Sequence, residues 1–271
     1  VVITRAAQDL PNVAGLVYIA AYQPDTGENA FGLSGDTELG DETSYVLVHA
    51  GEPELRVNAD SFAEVIAGDV APERVRLAAA GYRVLLPNLY WRSAREVGFD
   101  RAAFSQEGNP ERERIFTLAR GYGHAEFRTD LPAMLDALGV TAAHPGAAVG
   151  YCMSGRFALQ ALAEEPQRIA AAASFYGTRM VTDAADSPHL WLPRMTHGEA
   201  YLCFAEHDPY IPAGVPAQVT AAITASGLTQ RIEHYPGTHH GFAQPDSAGF
   251  DPIAAERHWA ALLDLLSRVR R

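Results

Sequence analysis

The 271-residue sequence is poor in cysteine, in long apolar runs and in positive charge. Its two cysteines, Cys152 and Cys203, are too few for the disulfide framework of a secreted protein and fit a reducing compartment. No apolar run approaches the roughly 18 residues that a membrane-spanning helix needs, and the N-terminal residues lack the order of a signal peptide. We therefore expect a cytoplasmic protein without a membrane span or an export signal.

Lysine and arginine number 21 against 33 aspartates and glutamates, which gives a formal net charge of −12. A surface of this sign repels phosphate backbones and anionic membranes, so neither nucleic acid nor membrane is an expected partner. The hydrophobic share of 48% excludes a disordered chain. We expect a single domain over residues 1–271 that forms a monomer or a small homo-oligomer and acts on small molecules.

Short apolar runs alternate with helical stretches, the pattern of an α/β protein with a mostly parallel, doubly wound sheet. The active site of such a fold lies beyond the carboxyl ends of its strands. Residues 23–69 break the pattern and are predicted to form a lid or cap with one short strand. The predicted strands are Leu16–Tyr22, Tyr45–His49, Tyr82–Leu86, Ala147–Tyr151, Ala171–Tyr176, Ala200–Ala205 and Gln230–Tyr235. The predicted helices are Ala59–Ile66, Pro72–Ala80, Pro110–Gly121, Arg128–Leu138, Ser154–Glu164, Pro216–Ala225 and Pro252–Arg268.

The strongest signal for chemistry is the segment Gly150-Tyr151-Cys152-Met153-Ser154-Gly155, where a predicted strand meets a predicted helix. It has the form of a nucleophile elbow with cysteine in place of serine. Small residues at positions 150 and 154 permit the sharp turn that presents Cys152, and the helix N-terminus behind it favours a thiolate. The N–H of Met153 is predicted to point into an oxyanion hole. The alternative is an ordinary buried cysteine, which is our interpretation of Cys203.

In a fold with such an elbow, the acid and then the base follow the nucleophile along the chain. Asp208 follows a predicted strand, in a turn fixed by Pro209 and Pro212, and is well placed to hold an imidazole. His240 follows the last predicted strand, in a loop with His239, and is the preferred base. The other acids considered, Asp183, Asp186 and Asp246, lack a preceding strand.

Adjacent histidines also suggest a metal site that His207 or His234 would complete. No HxxxH motif or cysteine pair supplies the remaining ligands on a shared face. We therefore expect neither a metal nor a cofactor.

From about residue 77 to the C-terminus, the sequence resembles the dienelactone hydrolase, or carboxymethylenebutenolidase, family of α/β-hydrolases. The resemblance rests on Ala80-Gly81-Tyr82, on Pro87-Asn88-Leu89-Tyr90-Trp91-Arg92, on the elbow, and on the loops of Asp208 and His240, in the order and rough spacing of the family. It implies an α/β-hydrolase fold with a triad of Cys152, Asp208 and His240. This triad would cleave an enol lactone through an acyl-enzyme on sulfur.

The resemblance also implies roles around the triad. Arg112 matches the position of an arginine that binds the substrate carboxylate, whereas Gln244 stands where a second arginine is expected, which weakens the case for an anionic dienelactone. Tyr176 and Phe242 are predicted to contact the substrate. No matching motif locates the glutamate that controls the thiol in this family, and the candidates by composition are Glu52, Glu54 and Glu64.

Residues 1–76 look instead like the middle of a different α/β-hydrolase, so the chain resembles a fusion. In this hypothesis the strand Leu16–Tyr22 replaces the oxyanion strand of the family. The backbone N–H near Ala21 or Tyr22 would then be the second oxyanion donor, and residues 23–69 would reshape the pocket as a cap.

The predicted function is hydrolysis of a carboxylic ester or lactone by a Cys-His-Asp triad through an acyl-enzyme. Because a thiolate is also a good leaving group, enol esters, aryl esters and lactones should react faster than simple alkyl esters. One alternative is a promiscuous short-chain carboxylesterase or thioesterase, which Gln244 favours. Another is a hydrolase fold that binds ligands without turnover, which the missing glutamate motif favours.

Overall fold

The computed structural model describes residues 77, 80–93, 97, 106–245 and 247–269, and the backbone of the strands at 15–19, 43–48 and 52–57. The chain falls into two compact units. The first comprises Val1–Val13, Tyr22–Val84 and Asn88–Tyr122, and the second comprises Ala14–Ala21, Leu85–Pro87 and Gly123–Arg271. The single domain expected over residues 1–271 stays a prediction.

Eight strands and six α-helices are described. The strands are β1 (Gly15–Ile19), β2 (Thr43–Val48), β3 (Glu52–Val57), β4 (Arg83–Leu85), β5 (Gly146–Tyr151), β6 (Ile169–Phe175), β7 (Glu199–His207) and β8 (Thr229–His239). The helices are α1 (Pro110–Arg120), α2 (His124–Leu138), α3 (Gly155–Glu164), α4 (Pro188–Trp191), α5 (Val215–Thr224) and α6 (Pro252–Val269). Short 3₁₀ turns cover Cys152–Ser154 and Leu192–Arg194.

In the first unit, β2 and β3 form an antiparallel two-stranded sheet in which Val48 lies opposite Glu52. The predicted strand Tyr45–His49 corresponds to β2. The prediction of a single short strand between residues 23 and 69 was wrong, because it missed β3: the two glutamates and the proline of Glu-Pro-Glu-Leu-Arg-Val are disfavoured in strands. The predicted helix Ala59–Ile66 lies outside the described residues, as does most of Pro72–Ala80.

A six-stranded sheet has the order β4-β1-β5-β6-β7-β8, and its strands β1 and β5 to β8 belong to the second unit. The pairs β1/β5, β5/β6, β6/β7 and β7/β8 are all parallel, so the carboxyl ends of these strands meet at one edge. All six residues of β5 and six of the seven of β6 are buried. The predicted parallel α/β architecture is confirmed.

Small residues allow close packing around the two central strands. β5 reads Gly-Ala-Ala-Val-Gly-Tyr and β6 reads Ile-Ala-Ala-Ala-Ala-Ser-Phe. Helix α3 lies against both strands, and its residues from Gly155 to Leu162 are all buried. This packing fixes the start of α3, which directly follows the elbow.

The predicted element ends differ from the observed ones where polar residues continue an element. Strands β7 and β8 run on to His207 and His239, since two parallel strands stay paired beyond the apolar core. Helix α2 begins at His124 instead of Arg128, because the Gly123 N–H donates to the Glu126 carboxylate at 2.8 Å and caps the helix. None of the helices within the described ranges is long and apolar enough to cross a membrane.

Candidate active site

The turn after β5 holds Cys152 in a left-handed backbone conformation, with φ of 51°. Only small neighbours permit this turn. A Cβ on Gly150 would lie 2.2 Å from the carbonyl oxygen of Ser154, and a Cβ on Gly155 would lie 2.7 Å from the Cα of Gly177. The glycines on both sides of Cys152 are therefore required by space, and the turn has the strained geometry of a nucleophile elbow.

Ser154 locks this elbow, a role that the sequence did not reveal. Its Oγ donates to the carbonyl oxygen of Tyr151 at 2.8 Å and accepts the N–H of Tyr151 at 2.9 Å, and its side chain is fully buried. The N–H of Thr178, which follows β6, donates to the carbonyl oxygen of Cys152 at 3.0 Å. The turn at Cys152 is thus held by Ser154, which follows β5, and by Thr178, which follows the adjacent strand β6.

Cys152 is partly exposed, whereas Cys203 is buried in β7. Burial also raises the pKa of the Cys203 thiol, which makes it a poor nucleophile. Met153, the predicted oxyanion donor, is buried in the 3₁₀ turn that precedes α3.

The two loops after β7 and β8 bring Asp208 and His240 together. Nδ1 of His240 donates to Oδ2 of Asp208 at 2.7 Å, and the side chains are only 13% and 3% exposed. The N–H of His240 also donates to the carbonyl oxygen of His207 at 3.3 Å. This last contact fixes the His240 loop to the end of β7.

His240 also links Asp208 to the thiol. Burial lowers the pKa of His240, but its hydrogen bonds to Asp208 and Cys152 outweigh burial and raise the pKa to about 9. With a pKa of about 9, the imidazole of His240 is protonated at neutral pH. Cys152 and Asp208 therefore both act on the imidazole of His240.

Tyr176 and Phe242, the two aromatic residues predicted to contact the substrate, lie near His240 but are buried. The ring of Tyr176 meets the imidazole of His240 edge to face at a centroid distance of 4.9 Å, and Tyr176 is 1% exposed. Phe242 has no exposed surface and packs against Tyr176 at 5.1 Å and Tyr235 at 5.0 Å. Their contact with substrate stays a prediction. Phe242 packs against the ring of Tyr176 and so supports it from within the core.

The described residues do not show the remaining predicted site residues in contact with Cys152, Asp208 or His240. Arg112 lies on α1 in the first unit, with its guanidinium 5.4 Å from the centre of the Phe116 ring. Tyr22 and Ala21 lie outside the described residues. Strand β1 does pair with β5, with Ile19 opposite Gly150, as the oxyanion hypothesis requires. Gln244 lies in the turn after His240 and donates its N–H to the carbonyl oxygen of Gly241 at 3.0 Å.

The alternative acids and ligands lie elsewhere. Asp183 and Asp186 are exposed, and Asp246 and Glu64 are not among the described residues. Glu52 and Glu54 belong to β3. His239 ends β8 instead of lying in a loop, and its ring is 5.0 Å from that of His207. The described residues contain no group of three or more histidines, cysteines, aspartates or glutamates that could hold a metal ion.

The parallel sheet, the strained cysteine turn after its third strand in spatial order, and an Asp-His pair after the last two strands define an α/β-hydrolase. Comparison of the sequence with family models gives a match to the dienelactone hydrolase family over residues 69–270. The chain belongs to this family, and the predicted enzyme class, a carboxylic ester hydrolase, is confirmed with it.

Individual relatives agree with this assignment. The chain is 28% identical over 184 residues to a provisionally named carboxymethylenebutenolidase of Azospirillum brasilense, covering 66% of this chain and 72% of the relative. It is 25% identical over 199 residues to the carboxymethylenebutenolidase of Pseudomonas sp. strain P51, covering 72% and 76%.

Solved structures show the same fold. A provisionally named dienelactone hydrolase from Klebsiella pneumoniae matches with a TM-score of 0.62 and 16% identity, covering 96% of this chain and 89% of that one. The dienelactone hydrolase-like phosphotriesterase P91 from metagenomic libraries matches with a TM-score of 0.57 and 20% identity, covering 94% and 86%. These comparisons give no support to a fusion of two hydrolases.

Proposed function

We propose that this chain hydrolyses activated carboxylic esters or lactones through an acyl-enzyme on Cys152, with His240 as the proton carrier and Asp208 as its orienting acid. The 2.7 Å hydrogen bond between His240 and the buried Asp208 carboxylate, together with the effect of Cys152 on the pKa of the same imidazole, carries this proposal. A nucleophile, a base and an orienting carboxylate are the general arrangement for acyl transfer.

The first half of the reaction makes the acyl-enzyme. The Cys152 thiolate attacks the acyl carbon, a C–S bond forms, and the carbonyl oxygen becomes an oxyanion. The tetrahedral intermediate then breaks its C–O bond, and the His240 imidazolium gives its proton to the departing alkoxide. We assign the Met153 N–H, with a second N–H near Tyr22, to the oxyanion.

The second half frees the acid. The imidazole, now neutral, takes a proton from water as that water attacks the thioester. Collapse of the second intermediate breaks the C–S bond and restores the thiolate and the imidazolium. Asp208 keeps Nδ1 protonated throughout, so that Nε2 remains the atom that exchanges protons.

Activated leaving groups suit this chemistry best. The thiolate competes with the alkoxide as a leaving group in the first intermediate, so enol and aryl esters should be better substrates than alkyl esters. The segment after His240 favours neutral substrates, because residues 241–256 contain no lysine or arginine that would bind an anionic group. A short-chain carboxylesterase or thioesterase is therefore the second candidate.

Steady-state hydrolysis of p-nitrophenyl acetate and of a dienelactone carboxylate by wild type, Cys152→Ala and Cys203→Ala tests the proposal. We expect Cys152→Ala to lose both activities, and Cys203→Ala, the matched control for removing a thiol, to keep both. Full activity of Cys152→Ala would refute the proposal.

The same assay separates the two candidate functions. A preference for the lactone carboxylate that Arg112→Gln abolishes would support an anionic substrate, and an Arg112-independent preference for the neutral ester would support a general esterase. The predicted cytoplasmic location and the monomeric or small oligomeric state stay predictions.

A further inference from the structure

Tyr210 is an exposed aromatic side chain beside the proton carrier. Its ring meets the imidazole of His240 edge to face, with centroids 4.7 Å apart and planes at 67°, and 41% of the residue is exposed. Tyr176 lies at a similar distance from the same imidazole but is only 1% exposed. Of these two rings, only that of Tyr210 presents a surface to a bound molecule.

The turn that carries Asp208 also fixes Tyr210. In Asp208-Pro209-Tyr210-Ile211, the N–H of Ile211 points to the carbonyl oxygen of Asp208 at 3.4 Å, and Pro209 occupies the position of the turn that favours proline. The N–H of Tyr210 donates to Oδ1 of Asp208 at 2.9 Å, while Oδ2 of the same carboxylate accepts from His240. One carboxylate therefore holds both the imidazole and the backbone of Tyr210.

The position of the leaving group follows from the chemistry. The imidazolium must reach the departing oxygen within hydrogen-bonding distance, about 3 Å. The first atoms of the leaving group thus lie beside the imidazole, on which the exposed ring of Tyr210 also packs. Because the proline turn fixes the backbone of Tyr210, less conformational freedom is lost when a flat group packs on its ring.

We propose that Tyr210 is a specificity-determining residue, the platform on which an aryl or enol leaving group packs as His240 protonates it. This inference rests on the proposed function and assigns the chemical class of its leaving group. A saturated, non-planar leaving group of equal acidity gains no such contact, because an offset or edge-to-face arrangement requires a second π-system.

Two acetate esters test the assignment: phenyl acetate and hexafluoroisopropyl acetate share the acyl group and release alcohols of similar acidity, but only phenol is planar. We expect Tyr210→Leu to lower kcat/KM for phenyl acetate by about three- to tenfold, the effect of one aromatic pair, and for the fluorinated ester by less than about twofold. Tyr210→Phe, the matched control, should keep both rates. Tyr210→Gln should reproduce the loss of Tyr210→Leu, and thermal unfolding shows whether each variant is folded.

A different pattern would overturn the assignment. If Tyr210 served only to position His240, Tyr210→Leu and Tyr210→Gln would slow both esters equally and shift the alkaline limb of the pH profile. If the wild type hydrolysed neither ester, or Cys152→Ala kept its activity, the proposed function itself would fail. If hydrolysis depended on Cys152 but both esters responded alike to Tyr210→Leu, only the leaving-group assignment would fail.

Discussion

Replacing Asp208 by asparagine should disable the proton carrier while leaving the fold intact. The asparagine side chain has nearly the same shape, but its amide group can donate to Nδ1 and stabilise the wrong tautomer of His240. Burial lowers the pKa of His240, and the hydrogen bond to Asp208 is the largest of the effects that overcome burial and raise the pKa from 6.5 to about 9. The difference corresponds to about 3 kcal/mol in favour of the imidazolium.

Two changes are expected in Asp208→Asn. First, kcat/KM should fall by about 10²- to 10⁴-fold, the scale of removing the orienting acid of a triad. Second, the alkaline limb of the kcat/KM profile, which reports loss of the imidazolium proton, should move from about pH 9 toward or below about 6.5. The sign follows because the substitution removes the interaction that raises the pKa.

The assay is p-nitrophenyl acetate hydrolysis, followed at the isosbestic wavelength of p-nitrophenol between about pH 5 and 10. Asp183→Asn is the matched control, because Asp183 is exposed and follows β6, whereas Asp208 lies in the turn that follows β7. It should behave as wild type. An Asp208→Asn variant with an unchanged alkaline limb and a rate within about threefold of wild type would refute the role of Asp208.

Three further outcomes are expected. Gly150→Ala should lower the free energy of unfolding in urea by about 3 kcal/mol, because its Cβ would lie 2.2 Å from the backbone oxygen of Ser154 and cannot be relieved by a rotamer change. The raised pKa of His240 should stabilise the folded state by about 3 kcal/mol below about pH 6.5. That stabilisation should disappear as pH rises through about 9, and urea unfolding of His240→Gln should lack this loss. Iodoacetamide should modify only Cys152 in the native protein and also Cys203 after denaturation, as mass spectrometry would show; equal native rates would contradict the burial of Cys203.

The elements that local sequence determines were predictable. The strand, the elbow and the helix from β5 to α3 are contiguous, and the glycines at 150 and 155 mark a turn that has no space for a Cβ at either position. The order of nucleophile, acid and base restricted the search for Asp208 and His240 to residues that follow strands. Parallel pairing of β7 and β8 then brings these residues to one edge of the sheet.

Features that depend on contacts between distant segments were not predictable. The hydrogen bond from the Thr178 N–H to Cys152 joins the ends of β5 and β6. The contact of Tyr210 with His240 joins two loops that are 30 positions apart in the sequence. No periodicity marks either contact. Strand β3 was missed for the opposite reason: its composition disfavours a strand, and its pairing with β2 overrides that local preference.

Backbone strain marks the site independently of any motif. Among the described residues, the non-glycine residues with positive φ are Cys152, Tyr176 and Arg179, and all three follow β5 or β6 at the carboxyl edge of the sheet. Such conformations cost about 1–3 kcal/mol each and persist only where surrounding contacts impose them. The contacts are present: the N–H of Tyr176 donates to the carbonyl oxygen of Cys203 at 2.7 Å, and that of Thr178 donates to Cys152. Glycine would adopt these conformations at no steric cost, so the strain at Cys152 and Tyr176 accords with a functional use of their side chains beside His240.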